Sequence, residues 1–253
     1  ILVELLFSDA QDVSARIASL SGAELEAELN LLASRVIVPY IVMAVILAGL
    51  GLMILKAHLP EINPDDDESS DVSSASSEKS SVFAFPHLVL GVLCIFVYVG
   101  VEVIAVDTIG LYGQYQGFDL STAGKFSIYS LIALTAGYLL GIVLIPKYLS
   151  QRNALVICAA LGLLFALGAL FTSGTVSITF IVLLSFAHAL MWPSIWPLAL
   201  DGLGKFTKLA SALLVMGIVG GAIFPLIYGA LADESNRQLA YWITVPCYLY
   251  IFF

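Results

Sequence analysis

Two acidic side chains, Glu102 and Asp107, interrupt one of the most apolar stretches of the sequence, residues 98–110, which read YVGVEVIAVDTIG. A carboxylate at the centre of a bilayer costs at least ~2.5 kcal/mol on insertion scales. If this stretch spans a membrane, Glu102 needs water, a hydrogen-bonding partner or a proton beside it. A structural acid bonded to a neighbouring helix is one interpretation. A carboxylate that lines a polar binding cavity is the interpretation that we favour.

These two acids are not spaced like the paired carboxylates of a hydrolase. Five residues on a helix correspond to a turn of about 140°, so Asp107 lies away from the face of Glu102 and nearer the outer surface. Gln114 follows at the exit of the same helix. We expect Asp107 and Gln114 to add hydrogen-bonding groups to a binding site that is centred on Glu102.

A histidine in a later apolar stretch begins a second pattern. His188, Trp192 and Trp196 follow one another at every fourth position, which places them on one side of a helix. A lone His in a helix is often a packing residue, and Trp also packs well against neighbouring helices. Flat aromatic faces, however, are what sugar rings stack on. We hypothesise that Glu102 and His188, at similar depth on two helices, face a common cavity with Trp192 as a stacking wall.

The sequence contains no constellation for covalent chemistry. It has no GxSxG nucleophile motif, no HExxH zinc motif and no Gly-rich phosphate loop with a Lys. Cys94, Cys158 and Cys247 each stand alone in an apolar stretch, without the CxxC spacing of a metal site. We therefore expect neither an enzyme nor a bound metal or cofactor, and nothing in the sequence indicates nucleic-acid binding.

The composition is that of a helical membrane protein. Of the 253 residues, 60% are hydrophobic and only 11% are charged, whereas soluble domains carry roughly 25% charged residues. A run of ~18 or more apolar residues marks a membrane-spanning helix, and the runs lack the alternation of barrel strands. We predict an all-α membrane protein with hydrophobic segments at about 36–55, 88–112, 126–145, 154–172, 176–200, 209–231 and 238–253.

Two regions outside these segments differ in character. Ser21 and Glu24 form a capping box that predicts a short surface helix before the first span. Residues 64–81, PDDDESSDVSSASSEKSS, are acidic and poor in apolar side chains, which predicts a disordered linker, with a regulatory segment as the alternative. Because residues 1–7 resemble the end of a helix and the last segment stops while still apolar, we expect a piece of a longer protein.

Lys and Arg residues are distributed unevenly between the two ends of the segments, and an excess of them marks the cytoplasmic side. The acidic linker then lies in the cytoplasm, and the first span enters the membrane from outside. We place on the cytoplasmic side Lys56, Lys79, Lys147, Arg152, Lys205 and Lys208, and on the other side Arg16, Arg35, Lys125 and Arg237.

Prolines and glycines in the later segments suggest bending and close packing. Pro193 and Pro197, in MWPSIWPLAL, and Pro225 are expected to bend their helices. Bent helices are common where a protein opens a cavity alternately to each side, so we assign Pro193, Pro197 and Trp196 to a gate. The three glycines of VMGIVGGAIF leave a shallow surface that a neighbouring helix approaches closely.

Several of these segments resemble sugar transporters of the major facilitator superfamily. YVGVEV, residues 98–103, resembles the start of the seventh helix of that family. Residues 191–233 resemble the tenth and eleventh helices, with GLGKFTKLAS in the loop between them. KAHLPEI, residues 56–62, is similar to the exit from the sixth helix in the glucose/galactose transporter branch of the fucose:proton symporter family. The resemblance covers nearly the whole chain in order.

The resemblance implies a major facilitator superfamily bundle, with the C-terminal six-helix half and the end of the N-terminal half. Residues 1–35 would hold the end of helix 5 and an extracellular loop with a short helix, and residues 36–58 helix 6. Residues 59–85 would form the cytoplasmic linker, and residues 86–253 the bundle of helices 7 to 12, with the last one truncated.

The resemblance also implies a function, which is secondary transport of a hexose or 6-deoxyhexose by proton symport in a bacterial inner membrane. In this family the sugar binds between the halves, near the membrane midplane, and Glu102 and His188 fall on the helices that line that site. Members tend to have Asn where this chain has His188, which leaves the identity of the sugar open. The implied partners are the sugar, a proton, membrane lipid and the missing N-terminal half.

The alternative is a seven-helix receptor or sensor, which would bind a small ligand without moving it across the membrane. The odd number of hydrophobic segments favours a receptor, whereas the expected truncation, the missing receptor motifs and the resemblance favour a transporter. Accumulation of a labelled sugar distinguishes the two, because a receptor binds the sugar but does not accumulate it.

Overall fold

A computed structural model describes residues 19–56, 81–145 and 147–253, together with residues 13, 16 and 17. The chain divides into two compact units, Ile1–Ser70 and Asp71–Phe253. The expected end of helix 5, in the first residues of the chain, and most of the acidic linker lie outside the described residues.

The first unit contains one long helix, α1, which spans Ala23–Lys56. It is continuous through Pro39, so the short surface helix and the first span that the sequence suggested are one element. The helix follows Gly22, whose φ of 62° is in the left-handed region, and the Ser21 cap does not mark its start. An ion pair of 3.0 Å joins Arg16 to Glu28 in its first turns.

The second unit is a bundle of helices without a strand in the described residues. Short 3-10 turns lie at Val82–Ala84, Gly204–Phe206 and Tyr241–Ile243. The α-helices are α2 (Pro86–Asp107), α3 (Ile109–Tyr115), α4 (Leu120–Ala123), α5 (Phe126–Leu144), α6 (Gln151–Phe171), α7 (Gly174–His188), α8 (Met191–Leu200), α9 (Thr207–Gly217), α10 (Gly220–Glu234), α11 (Arg237–Ala240) and α12 (Thr244–Phe252).

Within the described residues, six helical stretches are long and apolar enough to cross a membrane. The seventh expected segment is shorter and is divided among α11, a 3-10 turn and α12. The six stretches are Ala23–Lys56, Pro86–Asp107, Leu120–Leu144, Gln151–Phe171, Gly174–Leu200 and Gly204–Glu234.

The helix α2 lies at the centre of the second unit and packs against α7, α8, α9, α10 and α12. Its side chains are buried on several sides, and Leu88, Ile95, Val101 and Ile104 have no exposed surface. The outward faces of surrounding helices are apolar, as on α5, where Ile142 is 75% exposed. Such an exposed apolar surface suits lipid rather than water.

Three of the spans are interrupted. The break between α4 and α5 lies at residues 124–125, and the break between α7 and α8 lies at residues 189–190, just before Pro193. Pro193 is the third residue of α8, where the missing N–H of a proline has no helical partner to lose. The third break, at residues 218–219, precedes Gly220 and does not coincide with Pro225, which lies inside α10.

The expected close approach of the glycine surface is present between α10 and α2. A Cβ atom added at Gly220 would lie 1.8 Å from the Phe96 carbonyl oxygen, and one at Gly221 would lie 2.9 Å from a methyl carbon of Val99. No side chain fits at Gly220, so the backbones of the two helices are in direct contact.

At the end of the bundle where α2 and α3 finish, which we predict to face outward and call the outer end, a side-chain amide replaces helical hydrogen bonds. The Gln238 amide nitrogen donates to the carbonyl oxygens of Ala169 (2.9 Å), Leu170 (3.1 Å) and Thr172 (2.6 Å). These carbonyls belong to the last turn of α6 and to the residue after it, which have no intrahelical donors of their own.

A second amide joins α3 to the start of α7. The Gln116 side-chain oxygen accepts a hydrogen bond from the Gly174 backbone N–H at 2.9 Å, and its nitrogen donates to the Tyr112 hydroxyl at 2.8 Å. The Tyr112 hydroxyl also lies 2.6 Å from the Ser177 hydroxyl. These bonds fix the outer ends of α3, α6 and α7 relative to one another.

The loop between α3 and α5 is ordered by Asp119. Its carboxylate accepts a hydrogen bond from the Thr122 backbone N–H at 2.9 Å and caps the short helix α4. Hydrogen bonds from Ser121 and Thr122 lower the pKa of this carboxyl to about 2. Asp119 is therefore ionised at physiological pH, with its charge at the start of α4.

We predict that Gly220→Ala lowers the free energy of unfolding by about 1–3 kcal/mol, because the added methyl group forces α10 away from α2. Gly229→Ala, on the same helix, is the control, since a Cβ there meets nothing within 4 Å. Thermal unfolding of the full-length protein in detergent measures both. Equal losses of stability would contradict the close approach.

We predict that Gln238→Leu lowers the free energy of unfolding by about 1–3 kcal/mol, because it leaves carbonyl groups without a donor. Gln114→Leu is the matched control, since Gln114 is exposed on α3 and exposed substitutions usually change stability by less than about 0.5 kcal/mol. The same unfolding assay applies. A Gln238 variant as stable as the control would show that this amide does not hold the outer end.

Candidate functional site

The candidate site begins with two side chains one turn apart on α2. Tyr98 is buried, and Glu102 is half-buried. The Tyr98 hydroxyl and the Glu102 carboxylate lie close enough to interact. Residues four apart on a helix lie above one another, which explains why this pair forms within a single element.

Two further phenol groups lie near the Glu102 carboxylate. Tyr138 on α5 and Tyr248 on α12 both interact with it electrostatically. No cationic side chain forms an ion pair with Glu102 in the described part of the chain. The carboxylate thus has phenol groups rather than a cation beside it, and part of its side chain remains exposed.

Glu102 lies within the membrane-spanning helix α2, nearer to its C-terminal end than to its start. It stands sixteen residues after Pro86, the first residue of α2, and a rise of ~1.5 Å per residue places it about 24 Å along the helix axis. A bilayer core is ~30 Å thick. A half-buried carboxylate at this depth, with phenols on several sides, suits the wall of a polar cavity rather than a lipid-facing surface.

His188 is the last residue of α7 and has no exposed surface. Its Nε2 atom lies 2.7 Å from the Tyr248 hydroxyl oxygen. Its ring stacks on Tyr248, with centroids 5.9 Å apart, and meets Tyr98 edge-on at 6.0 Å. Tyr98 therefore lies between His188 and Glu102, and the two predicted residues share a neighbour rather than touching.

The two Trp residues continue this arrangement along α8. Trp192 and Trp196 stack on each other, with centroids 5.4 Å apart and ring planes at 24°. Trp192 also packs against Tyr98, at a centroid distance of 6.4 Å. We call the set of Tyr248, His188, Tyr98, Trp192 and Trp196 the aromatic row.

The remaining predicted residues lie around the aromatic row rather than in it. Pro193 and Pro197 are exposed on α8, beside the half-buried Trp192 and Trp196. Asp107 is exposed at the end of α2, and Gln114 is exposed on α3. In the described part of the chain, no hydrogen bond joins Asp107 or Gln114 to the pair of Tyr98 and Glu102.

The sequence analysis did not identify the tyrosines of the site. Tyr98 precedes Glu102 by one helical turn, so its spacing was a usable signal. Tyr138 and Tyr248 come from distant parts of the chain, and Tyr248 fits only because Gly162 on α6 leaves room for its ring. A Cβ atom at Gly162 would lie 2.6 Å from the Tyr248 ring. Only the tertiary structure shows this contact.

A cavity of 290 Å³ lies at the other end of the bundle, where α2 and α6 begin. Its lining is mainly apolar, with Cys94 and Arg152 among the residues that form it. Neither Glu102 nor His188 lines it. This cavity is therefore separate from the aromatic row.

Comparison with known proteins gives consistent matches. The model of the Major Facilitator Superfamily matches residues 29–225. A glucose/galactose transporter of Brucella abortus biovar 1 (strain 9-941) is 30% identical over 239 residues, which cover 92% of this chain and 56% of that protein. The L-fucose-proton symporter of Escherichia coli (strain K12) is 25% identical over 246 residues, which cover 96% of this chain and 55% of the symporter.

A solved structure shows the same fold. The crystal structure of the major facilitator superfamily transporter FucP in the outward conformation superposes with a TM-score of 0.73 at 24% sequence identity. The match covers 94% of this chain and 58% of FucP. The chain thus spans little more than half the length of these relatives. The relatives are transporters rather than enzymes, and the predicted multi-pass, all-α membrane protein is confirmed.

Proposed function

Because the chain belongs to the major facilitator superfamily, we propose that the full-length protein transports a hexose or 6-deoxyhexose by proton symport with alternating access. The observation that carries this proposal is the Glu102 carboxylate, which is half-buried in a membrane-spanning helix, beside phenol groups and without an ion-pair partner in the described residues. The class of substrate is that of the relatives, which are a glucose/galactose transporter and an L-fucose-proton symporter.

We propose the same division of the chain that the sequence suggested. In this proposal α1 is the last helix of the N-terminal half, the acidic stretch is the cytoplasmic linker, and the helices from Pro86 onward form the C-terminal half. The sugar then binds on the face of the C-terminal half that carries Glu102, opposite the missing half.

Within this site, Glu102 is the principal acceptor for sugar hydroxyls, and Trp192 supplies a flat face for the sugar ring. His188 belongs to the same site through Tyr98. Asp107 and Gln114, which are exposed nearer the outer end, offer further polar contacts on the path of the sugar.

The interruption before α8 supports a gating role for its first two turns. Pro193, Trp196 and Pro197 all follow the break at residues 189–190. Discontinuous helices near the midplane are where transporters place their substrate sites and moving parts. We propose that Trp196, with the two prolines, closes the inner side of the site.

We predict that Glu102→Gln weakens sugar binding about 10- to 100-fold, since a hydrogen bond to a charged group contributes ~1.5–3 kcal/mol. Glu234→Gln is the control, because Glu234 is an exposed carboxylate at the end of α10. Binding of labelled D-glucose, D-galactose and L-fucose to the purified full-length protein measures both variants. Equal affinity in Glu102→Gln and the unaltered protein would remove Glu102 from the site.

We predict that proteoliposomes of the full-length protein accumulate one of these sugars by counterflow. Addition of the sugar should also make the external medium more alkaline, because protons enter with it. Binding without accumulation would indicate the receptor alternative. Accumulation without alkalinisation would retain sugar transport and exclude proton symport.

A further inference from the structure

The contacts of His188 point to a role behind the binding surface. The side chain has no exposed surface, its ring is covered by Tyr248, and the edge of Tyr98 meets it. Its Nε2 atom already has a hydrogen-bond partner in the Tyr248 hydroxyl, at 2.7 Å. A sugar on the same side as Glu102 meets Tyr98 and Trp192 before it meets the imidazole.

The ring that holds His188 is itself held on its far side. The Tyr248 ring occupies the space that Gly162 leaves on α6, where even a methyl group would lie 2.6 Å from the ring. Tyr248 has no exposed surface either. Because Gly162, Tyr248 and His188 are in contact in series, the position of the imidazole is fixed by α6 and α12 and not by its own helix alone.

Tyr98 carries this constraint to the polar side of the site. It contacts His188 on one side and Trp192 on another, and its hydroxyl interacts with the Glu102 carboxylate one helical turn further on. Fixing the phenol ring fixes the position of its hydroxyl oxygen. The carboxylate that interacts with that oxygen then has a preferred orientation.

We propose that His188, held in place by Tyr248, is a positioning residue that sets the orientation of the Glu102 carboxylate through Tyr98, and does not itself touch the sugar. This inference rests on the proposed function. Hexose epimers such as D-glucose and D-galactose differ in the direction of one hydroxyl. A carboxylate held in a single orientation discriminates between them, and a mobile one does not.

One atom of His188 gives the competing explanation. Nδ1 is buried and has no hydrogen-bond partner in the described part of the chain, although most buried polar groups have one. If a sugar hydroxyl or a water that touches the sugar used this atom, His188 would be a direct ligand. The two explanations require different nitrogen atoms, Nε2 for positioning and Nδ1 for direct binding.

Two substitutions separate the two nitrogen atoms. In His188→Gln the terminal amide lies about where Nε2 lies and reaches the Tyr248 hydroxyl, whereas in His188→Asn it lies about where Nδ1 lies. Tyr248→Phe removes the hydroxyl and keeps the stacked ring. Tyr250→Phe is its matched control on α12, because the Tyr250 hydroxyl donates to the Leu90 carbonyl at 3.3 Å, at the inner end of the bundle.

The experiment measures binding of labelled D-glucose, D-galactose and L-fucose to the full-length protein. We expect His188→Asn and Tyr248→Phe each to weaken binding of the preferred sugar about tenfold, the effect of one hydrogen bond, and to bring the affinities for glucose and galactose closer together. His188→Gln should remain within about twofold of the unaltered protein. The double variant of His188→Asn and Tyr248→Phe should bind no more weakly than either single variant, because both break the same contact.

Several results would overturn the inference. It is wrong if His188→Asn binds normally while His188→Gln does not, because Nδ1 then contacts the sugar. It is also wrong if Tyr248→Phe behaves like Tyr250→Phe, and this comparison decides the matter if His188→Asn does not fold. In both cases the proposed transport function stands. If the unaltered protein binds none of the three sugars, the proposed function and the inference both fail.

Discussion

A polar group that enters hydrocarbon must find its partner within the protein, and this constraint decides where the polar side chains of the chain lie. The faces that meet lipid are apolar. The polar contacts are grouped at the outer end, around Gln116 and Gln238, and in the interior, around Glu102 and His188. The first group completes helix ends, whereas the second group includes a carboxylate that remains partly exposed, and for that reason we propose the second group as the binding site.

The aromatic row shows how a bundle with few charges builds a defined polar site. Tyr and Trp provide large rigid surfaces with one polar atom each, so they pack as apolar residues and still orient a carboxylate. The close approach of α10 to α2 at Gly220 places the central helix firmly. Tyr98 and Glu102 therefore stand on the helix that packs against five others.

Composition and periodicity predicted the helical class and the positions of most spans, because a bilayer requires long apolar helices. They also predicted that Glu102 is a carboxylate within an apolar span and that the glycines of α9 and α10 form a contact surface. They did not predict that α1 is continuous through Pro39, since a capping box and a proline both indicate a boundary. The break before Gly220 and the fit of Tyr248 against Gly162 depend on neighbours far away in the chain, which local patterns do not contain.

The amide contacts around Gln116 and Gln238 share one more property, which is that they are uncharged. Gln116, Gln238, Ser177 and the backbone groups that they bind carry no charge, and their partner Tyr112 loses its proton only in strongly alkaline solution. Mobile ions screen charges but leave neutral hydrogen bonds nearly unaffected. The contacts around Gln116 and Gln238 should therefore depend little on pH below the alkaline range or on salt concentration, whichever side of the membrane this end of the bundle faces.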